Sequence, residues 1–105
     1  LPGIELVHAA TGQEGIAAVR GPTPPDHVLL DMHLPDMTGL DVVRELSSDI
    51  ARLNLPITII TSDELTMDVL KAMSLGAFEY LVKPVDAGKL ESSIRRALAR
   101  GRAKG

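Results

Sequence analysis

A chain of 105 residues has room for one domain and for a core that needs no metal or disulfide support. Apolar residues make up 45%, with only Phe78 and Tyr80 aromatic and no cysteine, so the core must be aliphatic and disulfides and thiolate metal sites are excluded. The net charge of −3 (11 basic against 14 acidic residues) argues against a nucleic-acid surface on the body, and no apolar run reaches the length of a membrane span.

Ile4-Glu5-Leu6-Val7 reads as a first strand. Thr11-Gly12-Gln13-Glu14 has capping-box spacing ahead of a short helix carrying Ile16, Ala17 and Val19. Gly21, Pro22, Pro24 and Pro25 stop that helix. His27 to Asp31 is the next strand, followed by a loop, His33-Leu34-Pro35-Asp36-Met37. Thr38-Gly39-Leu40-Asp41 opens one helix with Leu40, Val43 and Leu46. After Pro56, Ile57 to Thr61 is the least ambiguous strand. A helix from about Leu65 to Ser74 carries Leu65, Val69, Ala72 and Met73 and ends at Gly76. Phe78 to Val82 is a strand, and Asp86 caps a final helix with Leu90, Ile94, Ala97 and Leu98 on one face. Arg95, Arg96, Arg100, Arg102 and Lys104 make its end basic, read as a solvated helix end or a linker rather than a polyanion-binding tail.

This alternation predicts an α/β fold, a doubly wound parallel sheet with helices on both faces. In such sheets ligands bind outside the carboxyl ends of the strands. Asp31, Thr61 and Lys83 stand there. Singly, Asp31 could cap a turn, Thr61 could cap a helix, and Lys83 could be an ordinary surface lysine. Adjacent strands lie about 5 Å apart, so all three side chains can meet over one edge. A carboxylate nucleophile, a hydroxyl donor and an ammonium suit phosphoryl transfer to aspartate, which needs mainly positioning and charge stabilisation. His8, His27 and His33 show no metal-ligand spacing.

The stretch Leu30 to Gly39, with Pro35 four residues and Gly39 eight residues after Asp31, resembles the signature of the response-regulator receiver domains of two-component signalling. Thr61, Lys83-Pro84 and Tyr80 fall at separations similar to those of the small chemotaxis receiver, and the resemblance covers the whole chain. It implies a flavodoxin-like, three-layer α/β/α fold in strand order 2-1-3-4-5. It also implies phosphorylation of Asp31 by a histidine kinase or phosphotransfer protein with Mg2+ as cofactor. Asp31 and a backbone carbonyl near His33 would serve as metal oxygens. Thr61 would contact the phosphoryl group, Lys83 would pair with it, and Tyr80 would be the switch residue. His33 stands where the family tunes phosphoryl lifetime. The Lys83–Pro84 bond is expected to be cis. Output would run through the face formed by the family's fourth helix, fifth strand and fifth helix, to a partner or output domain, with a homodimer as one option.

Two departures stand out. Ser62 replaces a common alanine. The family's first strand, with its metal-binding acidic pair, and its first helix have no counterpart, so the expectation is a receiver at 1–100 lacking its first βα unit, an incomplete metal site, and a basic tail or linker at 101–105. The reading is a cytoplasmic switching module, not an independent enzyme, with no direct nucleic-acid binding. The alternatives are a pseudo-receiver that only binds partners and a haloacid-dehalogenase-type phosphatase. The phosphatase needs a second aspartate where His33 stands.

Overall fold

The computed structural model describes residues 8–62 and 66–104. The strand expected at 4–7 lies outside the described residues. The elements in chain order are α1 (Gly12–Arg20), β1 (Val28–Asp31), α2 (Gly39–Glu45), α3 (Ser47–Leu53), β2 (Ile57–Thr61), α4 (Met67–Ser74), β3 (Glu79–Val82) and α5 (Ala87–Lys104). Among the described residues the sheet has three parallel strands in the order β1-β2-β3. Val28 is in register with Ile57, Asp31 with Ile60, and Thr61 with Val82.

Pleat alternation sorts the strands into two faces. Leu30, Ile57 and Ile59 point to one face and form a core with Ile16 and Val19 of α1, Leu40, Val42 and Val43 of α2, Ile50 of α3, and Val69 and Ala72 of α4. Thr58 and Glu79 point the other way, toward α5. Helices on both faces of a parallel sheet are the doubly wound arrangement expected.

Several boundaries differ from the sequence reading. The helix opening at Thr38 is two helices, α2 and α3, joined at Leu46, which has φ −92° and ψ 6° and is buried. Thr38 forms a complete capping box with Asp41. At α1 the box is only half made: Thr11 Oγ1 accepts from the Glu14 N–H, whereas the Glu14 carboxylate accepts from Ala10 N rather than from Thr11. Helix α4 starts at Met67, because Thr66 accepts the Val69 N–H and stands at the cap. Gly76 follows its end with φ 118°, a conformation that a side chain would strain. Asp86 Oδ1 accepts from Lys89 N at 2.7 Å, as a cap of α5. That helix continues to Lys104.

The inward stripe of α5 contains the expected Leu90, Ile94, Ala97 and Leu98 and adds a polar residue, Ser93. Ser93 and Ala97 are fully buried, while Leu90, Ile94 and Leu98 are half-buried. Ser93 is accommodated because Thr58 lies beneath it, Oγ to Oγ1 3.0 Å. Thr58 Oγ1 is also 2.8 Å from His27 Nε2. Ser93 donates to Glu79, whose other oxygen accepts from Arg96 Nη1 at 2.6 Å. A polar chain thus runs from the start of β1 across the sheet to α5, and each buried member has a partner.

Burial pushes the His27 imidazole below its ordinary 6.5, against the opposing pull of the Glu79 carboxylate. His27 in the folded state therefore takes up a proton only at lower pH than in the unfolded chain, which does so as pH falls through 6.5. The stability this neutral ring contributes is present above that pH and is lost as pH falls below it. Denaturant titrations at about pH 7.5 and about pH 5.5, either side of the ordinary histidine value, should show the parent weakening on the acid side. His27→Gln should weaken less, and equal losses in both proteins would refute the assignment.

Candidate functional site

The carboxyl ends of β1, β2 and β3 lie at one edge of the sheet, and the residues expected there occupy it. Asp31 ends β1, Thr61 ends β2, and Lys83 directly follows β3. Lys83 Nζ donates to Asp31 Oδ2 at 2.8 Å, across 52 residues of sequence. The other carboxylate oxygen accepts the backbone N–H of His33 at 2.9 Å. Burial pushes the Asp31 carboxyl up, but the Lys83 ammonium and the His33 N–H outweigh it and hold the group below the usual carboxylate range. The side chain is 37% exposed, so an ionised, oriented carboxylate oxygen is accessible to solvent.

Thr61 belongs by alternation with Ile57 and Ile59 and is 2% exposed, whereas Asp31 and Lys83 are accessible. Its carbonyl accepts the Lys83 N–H at 2.7 Å, which fixes the strand end that carries the lysine. The Lys83–Pro84 peptide is cis, as the Lys-Pro pair implied. Tyr80 is not at a strand end. It aligns with Ile59, two residues before the partner of Thr61, on the same face, and it packs half-buried against the core.

The loop after β1 is tightly closed. Gly39 N donates to Met32 O at 2.8 Å, Leu34 N to Met37 O at 3.1 Å, and His33 pairs with Thr38 in an antiparallel bridge. Asp36, a loop residue with no role assigned from the sequence, accepts from Gly12 N at 2.8 Å and Gln13 N at 3.0 Å. Its partners lie 24 and 23 residues away, so no local pattern could have shown this.

A family model described as the response regulator receiver domain matches residues 2–95. The chain belongs to that family. It is 33% identical over 97 residues to protein PilH of Pseudomonas aeruginosa, covering 92% of this chain and 79% of PilH. It is 36% identical over 98 residues to regulatory protein LuxO of Vibrio cholerae, covering 90% of this chain but only 20% of LuxO. The chain thus spans only a fifth of the length of LuxO. A response regulator receiver domain protein from Clostridium thermocellum superposes with a TM-score of 0.85 at 31% identity, over 98% of this chain and 81% of that one.

Receiver domains are generally not catalytic enzymes, and they interact with histidine kinases and output domains. They generally bind Mg2+ at the acidic phosphorylation site. Mg2+ takes near-octahedral oxygen ligation, commonly one or two carboxylates with waters and phosphate oxygens. Among the described residues no group of three or more His, Asp or Glu side chains is placed to hold a metal. At the strand ends they offer the Asp31 carboxylate, and the His33 backbone reaches it through its N–H. The described residues therefore do not by themselves complete a magnesium site. Among them, no helix is long and apolar enough to cross a membrane.

Proposed function

We propose that this receiver accepts a phosphoryl group on Asp31 from a histidine kinase or phosphotransfer protein and transmits the change to a partner or output domain. The observation that carries the reading is the ion pair between Asp31 and Lys83, two residues far apart in sequence that meet at the ends of parallel strands. In the transfer an Asp31 oxygen attacks phosphorus. The donor's bond to phosphorus breaks, its electron pair leaves with the donor, and an acyl phosphate forms. Lys83 offsets the charge on the phosphoryl oxygens, with Mg2+ as the family's cofactor.

Thr61 is the hydroxyl that contacts the phosphoryl group in this reading. Its movement leaves room for Tyr80, which shares its face of the sheet, to turn inward. The equilibrium shifts only as far as the differential contacts of the phosphate allow. The output surface is α4, β3 and α5, where Met67 and Leu70 on α4 are exposed. It suits a partner protein, an output domain or a second copy. The assigned unit is a cytoplasmic receiver over 1–100.

The test uses the longest natural polypeptide that contains this chain, given a small phosphodonor and Mg2+. The parent should take up acid-labile phosphate and Asp31→Asn should not. Uptake by the variant at the parent rate would overturn the assignment.

A further inference from the structure

The first turn of a helix leaves backbone N–H groups without partners inside the helix. At α1 these groups are satisfied from two directions. Thr11 Oγ1 takes the Glu14 N–H at 3.1 Å, and the Asp36 carboxylate takes those of Gly12 and Gln13. Asp36 is not a residue of α1 or its flanks. It lies in the loop between β1 and α2, five residues after Asp31 and three after His33, whose N–H orients the Asp31 carboxylate. The two N–H groups hold the Asp36 carboxyl below its ordinary value, so it is ionised and the bonds are charge-assisted.

The contact is reinforced by packing. Met37 lies so close to Gly12 that a Cβ there would overlap its side chain, and Met37 also packs against the core. The loop is therefore clamped at its tip to the first turn of the helix that precedes β1 in the chain. Its base is closed by the bond from Gly39 N to Met32 O.

We propose that Asp36 is a positioning residue for the phospho-acceptor: by tying the loop to the first turn of α1, it fixes the His33 N–H that aims the Asp31 carboxylate. This rests on Asp31 being the acceptor. A residue that merely capped α1 would affect stability alone. A positioning residue affects the order of the loop and the rate of transfer, without changing how donor binds.

Two measurements separate these roles in the longest natural polypeptide containing the chain. In amide hydrogen exchange, Asp36→Ala should speed exchange at His33 by at least about tenfold, the scale of losing charge-assisted bonds that hold a loop. Ile57 and Ile59 in the core should change far less. In phosphate uptake from a small phosphodonor with Mg2+, the saturating rate should fall while the half-saturating donor concentration holds. Asp36→Asn should recover part of both effects, because its amide oxygen still accepts one of the two N–H groups. The proposal is overturned if His33 exchange rises no more than that of Ile57 and Ile59, or if uptake is unchanged in Asp36→Ala. If neither parent nor variant takes up phosphate, the functional reading falls, and the exchange comparison alone supports or overturns the clamp.

Discussion

Gly39→Ala should lower both the stability of the domain and its phosphate uptake. A Cβ at this buried position would sit 2.8 Å from the Asp31 carbonyl oxygen and 3.0 Å from Met32 Cα. Both are backbone atoms, held by the strand ladder and by the Gly39 N–H to Met32 bond, so neither can swing aside as a side-chain tip would. Helix propensity works the other way: alanine is favoured over glycine by about 1 kcal/mol inside a helix. Overlap with backbone should dominate, because overpacking costs about 1–3 kcal/mol and Gly39 is the first residue of α2, where propensity acts weakly. The displaced atoms belong to the acceptor residue and its neighbour, so uptake should fall with stability. Thermal unfolding of the parent and the variant checks this. An unchanged or higher Tm would mean that propensity decides, and that the loop is looser than its contacts indicate.

Lys83→Met should do the opposite, taking away function and leaving the fold. The side chains of Lys83 and Asp31 are 45% and 37% exposed, and ion pairs of this kind contribute about 0–1 kcal/mol. With the lysine gone, water reaches the Asp31 carboxylate, so no buried charge is stranded. The transferring phosphoryl group, in contrast, loses the cation aimed at its oxygens. Removal of one such preorganised donor costs on the order of a hundredfold or more in rate. Uptake from a small phosphodonor should drop on that scale while the denaturation midpoint barely moves. Parent-like uptake would remove Lys83 from the site, and loss of the folded state would make it a structural residue.

What could be read in the sequence was whatever is written locally. The three strands and the meeting of Asp31 with Lys83 followed from apolar runs that end in polar residues, whereas the strand order came only from the family resemblance. The split between α2 and α3 was hidden, because no glycine or proline marks Leu46 and the apolar spacing of Leu40, Val43, Leu46 and Ile50 continues across it. Helix α4 was started too early because Leu65 fits the apolar pattern, although Thr66 is a ready cap. Ser93 reads as a polar residue among apolar ones. Only the position of Thr58 beneath it explains its burial. Asp36 was visible as part of the signature stretch, but its bond to α1 depends on two segments that come together only when the chain folds.

Asp31 as acceptor is the claim on which the functional account depends, and chemical trapping addresses it without relying on any variant. The longest natural polypeptide containing this chain is treated with a small phosphodonor and Mg2+, then with borohydride, which reduces an aspartyl phosphate to homoserine. Peptide mass spectrometry then locates the change. The account predicts homoserine in place of Asp31 and at no other aspartate. Homoserine elsewhere, phosphate held on His33, or no modification at all would contradict it.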